Sequence, residues 1–426
     1  MLHIGPVLAR LASELSKSDY SSSQDFSIAE SVKQNLSAFA NKNTFEVYEQ
    51  LALGPGDIES IAPCTALQEG MIARFLDSEK PLYYNSFPMV ISSPNDIDGI
   101  RKAWVQVIRS TGVLRTCFCE TPDGYAQVVL KNPKMQWEEI STSENTVRIT
   151  ILDKLAKHAD SNKDLHKVPL YLLVVETPER TILVLNIFHG LYDGSSLPLI
   201  LEDVQMAYHG RYEPRPHQFV DIVGHLLSVD TAKARIFWEK TLAGATPCSF
   251  PEAPGVPDDG DHAVQLTSKT SITSVETICK RIGCTPQAVY QAAWASVLSG
   301  YIGLRPVFGI VVSGRSIPLE NIEQTIGPLF NTIPSTLDLE NARSWEELVK
   351  EAHNFYSESI PYHHTPLRLV NKWMRATAER PLFDTLFVYQ KGKARNSNLD
   401  SLWEAADTVV SADVCALISH LTCRCH

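Results

Sequence analysis

No apolar run in this sequence approaches the roughly 20 residues that a membrane-spanning helix needs, and the N-terminus lacks the order of a secretory signal. A basic stripe is missing too. Lys and Arg number 38 against 49 Asp and Glu, a formal net charge of -11, so little is available to neutralise a phosphate backbone. Neither a nucleic-acid nor a membrane partner is expected. The nine cysteines (Cys64, Cys117, Cys119, Cys248, Cys279, Cys284, Cys415, Cys423 and Cys425) contain no CxxC pair and no disulfide framework. An odd, scattered set without a signal fits a reducing compartment, and the cytoplasm is the expectation. The terminal Cys423-x-Cys425-His426 lacks a second pair of ligands, so no metal site is expected there. No residue-level repeat marks a solenoid.

What is present is ordinary globular material. The chain has 426 residues, 44% hydrophobic and 20% charged, enough for two or three domains. Residues Pro6 to Leu15 have helical spacing of Val7, Leu8, Leu11 and Leu15, and a Ser-rich linker follows from Ser16 to Asp25. Ile28 to Leu53 reads as further helical or connecting sequence. A new unit starts near Ile61, with a helix beginning at Thr65 to Gln68 after Pro63. Strand-like segments follow at Ser86 to Ile91, Ala126 to Leu130, Leu170 to Val175 and Ile182 to Ile187, with helices at Ile97 to Ser110 and Thr146 to His158. Gly244 to His262 is crowded with Pro, Gly and Asp and reads as a crossover. Beyond it come a helix at Thr285 to Leu298, a strand near Val307 to Val312, a helix at Ser344 to Ser357 and a strand at Asp384 to Tyr389. The expected division is 1–60 as helix and linker, 61–245 as one α+β lobe with a mixed sheet, and 246–426 as a second.

The densest chemistry is Phe188-His189-Gly190-Leu191-Tyr192-Asp193-Gly194. The apolar run Thr181 to Ile187 reads as a buried strand that ends near His189, and Asp193-Gly194-Ser195-Ser196 opens an apolar helical segment from Leu197 to Met206. A His carried by a rigid strand suits a base or an orienting group near neutral pH. The Asp either fixes that His or locks the turn. Taken alone, the pattern also fits a satisfied His beside an Asp capping a helix.

Other motifs narrow the reading. Pro63-Cys-Thr-Ala-Leu-Gln-Glu-Gly-Met71, Val113-Leu-Arg-Thr-Cys-Phe118, Phe188 to Gly194, Gly309-Ile-Val-Val-Ser-Gly-Arg315, Ile326-Gly-Pro-Leu-Phe-Asn-Thr332 and Pro381-Leu-Phe-Asp-Thr-Leu-Phe387 occur in this order. Together they resemble the condensation domain of nonribosomal peptide synthetases, over roughly Ile61 to Gln390. The wording Pro-Cys-Thr and Gly-Pro-Leu-Phe-Asn-Thr is similar to fungal synthetases, above all those of hydroxamate siderophores. The resemblance implies an α/β (α+β) fold of two chloramphenicol-acetyltransferase-like lobes, set in a V around a central tunnel. It implies amide bond formation between a thioester and an acceptor amine, both delivered on 4'-phosphopantetheine by partner carrier domains. No covalently bound cofactor is implied, and adenylation domains of the same assembly line are further partners. His189 matches the family's reacting-centre His. Asp193 matches a structural Asp that pairs with an Arg, and Arg115 of the Leu-Arg-Thr motif is the expected partner. Gly194 is expected to leave room for the pantetheine arm or for backbone. Phe188, Ser313 and Asn331 are expected along the tunnel.

Two departures stand out. The family motif begins with His, and here Phe188 stands in that place; it keeps an aromatic ring but cannot hydrogen-bond. Fungal terminal cyclising domains also vary there, which points to a different acceptor. The stretch from about residue 400 to His426 does not resemble the family's continuation, so an incomplete second lobe that exposes apolar surface is expected. The helix at Pro6 to Leu15 is similar to the last helix of a carrier domain, without the carrier's phosphopantetheine Ser. The competing functions are a CoA-dependent acyltransferase of the same fold, disfavoured because Phe308-Gly-Ile-Val-Val replaces that class's second motif, and an inactive condensation-domain remnant.

Overall fold

The computed structural model describes residues 30–92, 96–245, 270–377, 380–390 and 402–405. The first half runs α1 (Glu30–Leu51), β1 (Ile58–Pro63), α2 (Ala66–Asp77), β2 (Tyr84–Ile91), α3 (Ile97–Ser110), β3 (Thr116–Thr121), β4 (Gly124–Leu130) and β5 (Gln136–Ser141). It continues with α4 (Val147–Ser161), β6 (Leu170–Glu176), β7 (Thr181–Phe188), α5 (Ser196–Tyr208), α6 (Phe219–Leu227) and α7 (Thr231–Thr241). The second half adds α8 (Ile272–Ile282), α9 (Pro286–Ile302), β8 (Val307–Val312), β9 (Asn331–Thr336), α10 (Trp345–Ser359), α11 (Leu367–Trp373), β10 (Leu386–Phe387) and β11 (Trp403–Ala405).

Every residue of β7 is buried, because β7 lies inside a five-stranded sheet of order β11-β2-β7-β6-β5 and is covered on both faces. Leu183, Leu185 and Ile187 point into a core shared with Ile100, Trp104 and Val107 of α3 and Ile200 and Val204 of α5. The intervening Ile182 and Val184 pack on Val147, Ile151 and Leu155 of α4. A strand sandwiched in this way carries a continuous apolar run rather than an alternating one, which is why the sequence reads as it does. Only β5 and β6 run parallel; the other neighbours in this sheet are antiparallel. Two of the helices packed in this core start on side-chain caps. Asp96 accepts from Gly99 N at 3.0 Å at the start of α3, and Thr65 and Gln68 form a reciprocal capping box on α2.

A second, antiparallel sheet (β1-β4-β3) lies under α1, with Cys117, Cys119, Ala126 and Val128 facing Val47. The third sheet (β10-β8-β9) has its own core, in which Ala292 and Ala295 of α9 and Ala352 and Phe355 of α10 meet Phe308, Ile310 and Ile333. The helices expected at 97–110, 146–158, 285–298 and 344–357 are present as α3, α4, α9 and α10. The strand expected at 384–389 contracts to two residues, Leu386–Phe387. The helix at 6–15, residues 246–262 of the crossover and the tail from 412, with Cys423 to His426, lie outside the described residues.

Two segments pack across the division drawn at residue 245. Ala234 and Trp238 of α7, with Leu242 beyond it, belong to the second core. In the other direction β11 returns to the first sheet, where Trp403 pairs with Ile91 and Leu402 O accepts from Ser92 N at 2.8 Å. Among the described residues the cysteines Cys64, Cys117, Cys119, Cys279 and Cys284 are free thiols, and no helix is long and apolar enough to cross a membrane. Since Leu402 and Trp403 sit in the first core, Trp403→Ala should destabilise the protein by about 3–5 kcal/mol, read as a lower urea midpoint. The exposed Ile236→Ala should change it by less than about 0.5 kcal/mol.

Candidate active site

The end of β7 delivers His189. Phe188 pairs with Tyr84 of β2, and one further ladder bond, from His189 N to Tyr83 O at 2.8 Å, holds the His backbone. The next carbonyl, Gly190 O, accepts from the buried amide of Gln68 at 3.0 Å. Gln68 also serves the N-terminus of α2 through Thr65 N, so the first turn of that helix is fastened to the His turn. Gly190 is required here sterically: a Cβ would lie 2.7 Å from the ring of Phe188, which folds back over it.

The imidazole is pinned on three sides. Its Nδ1 lies 2.9 Å from Tyr192 O. A carbonyl only accepts, so Nδ1 carries the hydrogen and Nε2 keeps its lone pair. Among the described residues Nε2 has no hydrogen-bond partner. The Tyr192 ring stacks on one face at 4.7 Å and 20°, and Phe330 of the second half lies against the ring at 4.9 Å and 30°. Tyr192 is itself held, its hydroxyl accepting from Asn85 Nδ2 at 2.6 Å. Burial pushes the His189 pKa below its ordinary value and outweighs the upward pull of the Tyr192 carbonyl and the Asp193 charge. The ring is therefore neutral at pH 7, with its basic nitrogen unoccupied.

Asp193 does not touch it. The carboxylate is 2% exposed and accepts six hydrogen bonds elsewhere. Oδ1 takes Ser195 N at 3.0 Å, Ser196 N and Ser196 Oγ at 2.8 Å, and Arg315 Nη2 at 3.0 Å. Oδ2 takes Arg315 Nη1 at 2.5 Å and Leu329 N at 3.1 Å. The two-pronged Arg315 contact joins the start of α5 to the 313–329 segment of the other half. Ser196 Oγ adds to the join by accepting from Gly327 N at 2.9 Å. Gly314, beside Arg315, has φ +67°, and a Cβ there would lie 1.8 Å from Leu329 O. Only glycine lets these two stretches of the second half come so close.

Several expectations need correction. Arg115 is not the partner of Asp193. Its Nη1 pairs with Glu59 Oε2 at 2.7 Å and also donates to Leu130 O, while Nε donates to Ile108 O at 3.1 Å. It ties the end of α3 to the end of β4. Phe188 does not line a tunnel either: fully buried, it sits among Phe75, Tyr84 and Phe118, with ring centroids 5.5–6.0 Å away. An aromatic ring therefore fills the core where a family His would need a polar partner.

The remaining candidates fall near the seam. Asn331 spends its amide hydrogens on His363 O at 2.8 Å and Thr365 O at 3.0 Å. The turn so held presents His364, whose Nε2 donates to Gly314 O at 2.9 Å and whose pKa burial lowers to about 4. Ser313 is exposed and its hydroxyl accepts from Arg315 N at 3.3 Å. Gly194 is exposed, and a Cβ on it would meet only Gln390 Nε2, at 3.6 Å. Sequence reasoning missed Arg315, Tyr192, Gln68 and Phe330 as parts of this site, although all four lie inside the motifs quoted above.

Comparison with known proteins follows the same outline. The family model of the condensation domain matches residues 58–413. Nonribosomal peptide synthetase Ao415 of Arthrobotrys oligospora is 40% identical over 357 residues, covering 84% of this chain and 10% of the relative. Nonribosomal peptide synthetase sidC of Arthroderma benhamiae is 35% identical over 396 residues, covering 90% of this chain and 8% of the relative. The chain thus spans a tenth or less of the length of these curated relatives. Among solved structures, the condensation domain from the Monacolin K polyketide synthase MokA has a TM-score of 0.67 at 17% identity, covering 82% of this chain and 85% of that one. The four-domain nonribosomal peptide synthetase AB3403 has a TM-score of 0.63 at 16% identity, covering 79% of this chain and 27% of that one.

The geometry separates the two arginines. In a double-mutant cycle, Asp193→Ala and Arg315→Ala should couple by more than about 1 kcal/mol, and Arg315→Ala alone should cost about 3–5 kcal/mol by stranding a buried carboxylate. Asp193→Ala and Arg115→Ala should add to within about 0.5 kcal/mol. Urea unfolding of the three single and two double variants checks this.

Proposed function

The chain belongs to the condensation-domain family and has its chloramphenicol-acetyltransferase-like α/β fold, and from this we propose that it forms amide bonds in nonribosomal peptide synthesis. The substrates are an aminoacyl or peptidyl thioester on a donor carrier domain and an amine on an acceptor carrier domain, each held by 4'-phosphopantetheine. The amine nitrogen attacks the thioester carbonyl, a C–N bond forms, the C–S bond breaks, and the donor arm leaves as a thiol. The lengthened chain then resides on the acceptor carrier.

The observation that carries this reading is the free Nε2 of a neutral His189 held at the meeting of the two halves. Attack makes the amine nitrogen acidic, and Nε2 accepts that proton or holds the N–H in line with the carbonyl. A single positioned ring is sufficient for either task. Asp193 acts as a clamp with Arg315, because its oxygens have no capacity left for substrate. Gly194 leaves space for an arm beside Gln390, and Ser313 and the carbonyl oxygen of Asn331 supply polar lining to the tunnel through which the arms enter. Carrier domains and adenylation domains of the same assembly line are the proposed partners, in the cytoplasm. The likeness to sidC of Arthroderma benhamiae, together with the Gly-Pro-Leu-Phe-Asn-Thr wording, supports hydroxamate siderophore synthesis as the setting.

Product formation with loaded donor and acceptor carriers, followed by mass spectrometry, tests the role of His189. His189→Ala should slow it by about 100- to 10,000-fold. The pH dependence has a defined sign. The active form is the neutral ring, whose pKa lies below the ordinary 6.5, so activity is retained at pH 7 and is lost only as pH falls through that lowered value. Undiminished product from His189→Ala would refute the assignment.

A further inference from the structure

A ring held by one hydrogen bond can still rock about it. His189 makes one such bond, from Nδ1 to Tyr192 O, and torsions that end on a flat ring have broad minima. The Asp193 carboxylate cannot steady it, since all six bonds to its oxygens come from other groups. What remains is the pair of flat faces, Tyr192 at 4.7 Å and Phe330 at 4.9 Å. Tyr192 belongs to the His turn itself, whereas Phe330 comes from the other half of the chain.

Phe330 is also flanked by two residues whose positions are fixed by hydrogen bonds. Leu329 N, immediately before it, donates to Asp193 Oδ2 at 3.1 Å. Asn331, immediately after it, is fastened to the carbonyls of His363 and Thr365. The Leu329-Phe330-Asn331 backbone is therefore anchored on both sides of the aromatic ring, and the anchor on one side is the carboxylate four residues beyond His189. We propose that Phe330 is a positioning residue that fixes the plane of the His189 imidazole, so that Nε2 points along one direction only when the two halves are joined. This deepens the reading of His189 as the reacting-centre base and rests on it.

The same ring keeps water from one face of the imidazole. Two effects on its protonation oppose each other: an aromatic face attracts an imidazolium, and burial disfavours it. Burial is the largest influence on the His189 pKa, and it lowers it. Among the described residues, the charged and titratable groups facing His189 are Tyr192 on its own turn, with its hydroxyl bound to Asn85, and Asp193, with its charge met by Arg315. Opening the Phe330 face should therefore raise the His189 pKa.

The test uses Phe330→Leu, which keeps an apolar side chain without the flat face, and Phe330→Tyr, which keeps the face. His189 is titrated by NMR in the full chain with labelled histidine, the signal being identified by its loss in His189→Gln. Amide formation is measured across pH in parallel. Phe330→Leu should move the titration and the acid limb of the rate to higher pH and lower kcat by about 10- to 100-fold with KM little changed. Phe330→Tyr should restore all three. A shifted titration without a change in rate would overturn the positioning role, and undiminished product from His189→Ala in the same assay would instead contradict the base role of His189. An unchanged titration in Phe330→Leu, or a Tyr variant no better than Leu, would overturn the proposal.

Discussion

With 2% of its side chain exposed, Asp193 must satisfy a full negative charge inside the protein, and the seam between the two halves is built around that requirement. Arg315 supplies the countercharge through two parallel contacts, and three backbone N–H groups and a hydroxyl supply the rest. The carboxylate also sits at the start of α5, where the helix dipole favours an anion. Burying such a pair is not a cheap route to stability, because desolvation offsets much of the attraction. Its value lies in geometry. Removing either partner strands the other, so the two halves meet in one register or lose several kcal/mol.

That register decides what surrounds His189. β7 and the Gln68 contact set the backbone of the His turn from within the first half. Among the described residues, Phe330, which the second half contributes, completes the imidazole environment. Asp193 thus governs the surroundings of His189 without contacting it, through Leu329 on one side and Ser195 and Ser196 on the other. The arrangement accounts for a carboxylate so near His189 in sequence making no bond to its ring. Its oxygens are used in holding the chain segments that frame the ring.

How much of this was legible in the sequence depended on the range of each interaction. The buried strand β7, the capping box at Thr65 and Gln68 and the helices α3 and α10 depend on neighbours within a turn or two, and composition and period reveal them. The partner of Asp193 depends on a contact 122 residues away, and two arginines in motif-like surroundings were available. Arg115 lay nearer in the chain and was the natural choice, but it is consumed at the junction of α3 and β4. Arg315 carried one usable signal, a preceding glycine with φ +67° that permits the close approach of Leu329, and φ is not visible in a sequence. Phe188 could have been placed in the core from its position at the end of the mostly apolar strand that begins at Thr181. Reading it by its motif column instead put it beside the substrate.

The central claim is that Asp193 couples the His turn to the opposite half. Hydrogen exchange by mass spectrometry on Asp193→Asn, compared with the unaltered chain, tests it directly. The account predicts that amides of 189–197 and of 325–331 lose protection together, while β7 and β8 keep theirs. Loss confined to 193–197, with 325–331 protected as before, would contradict it.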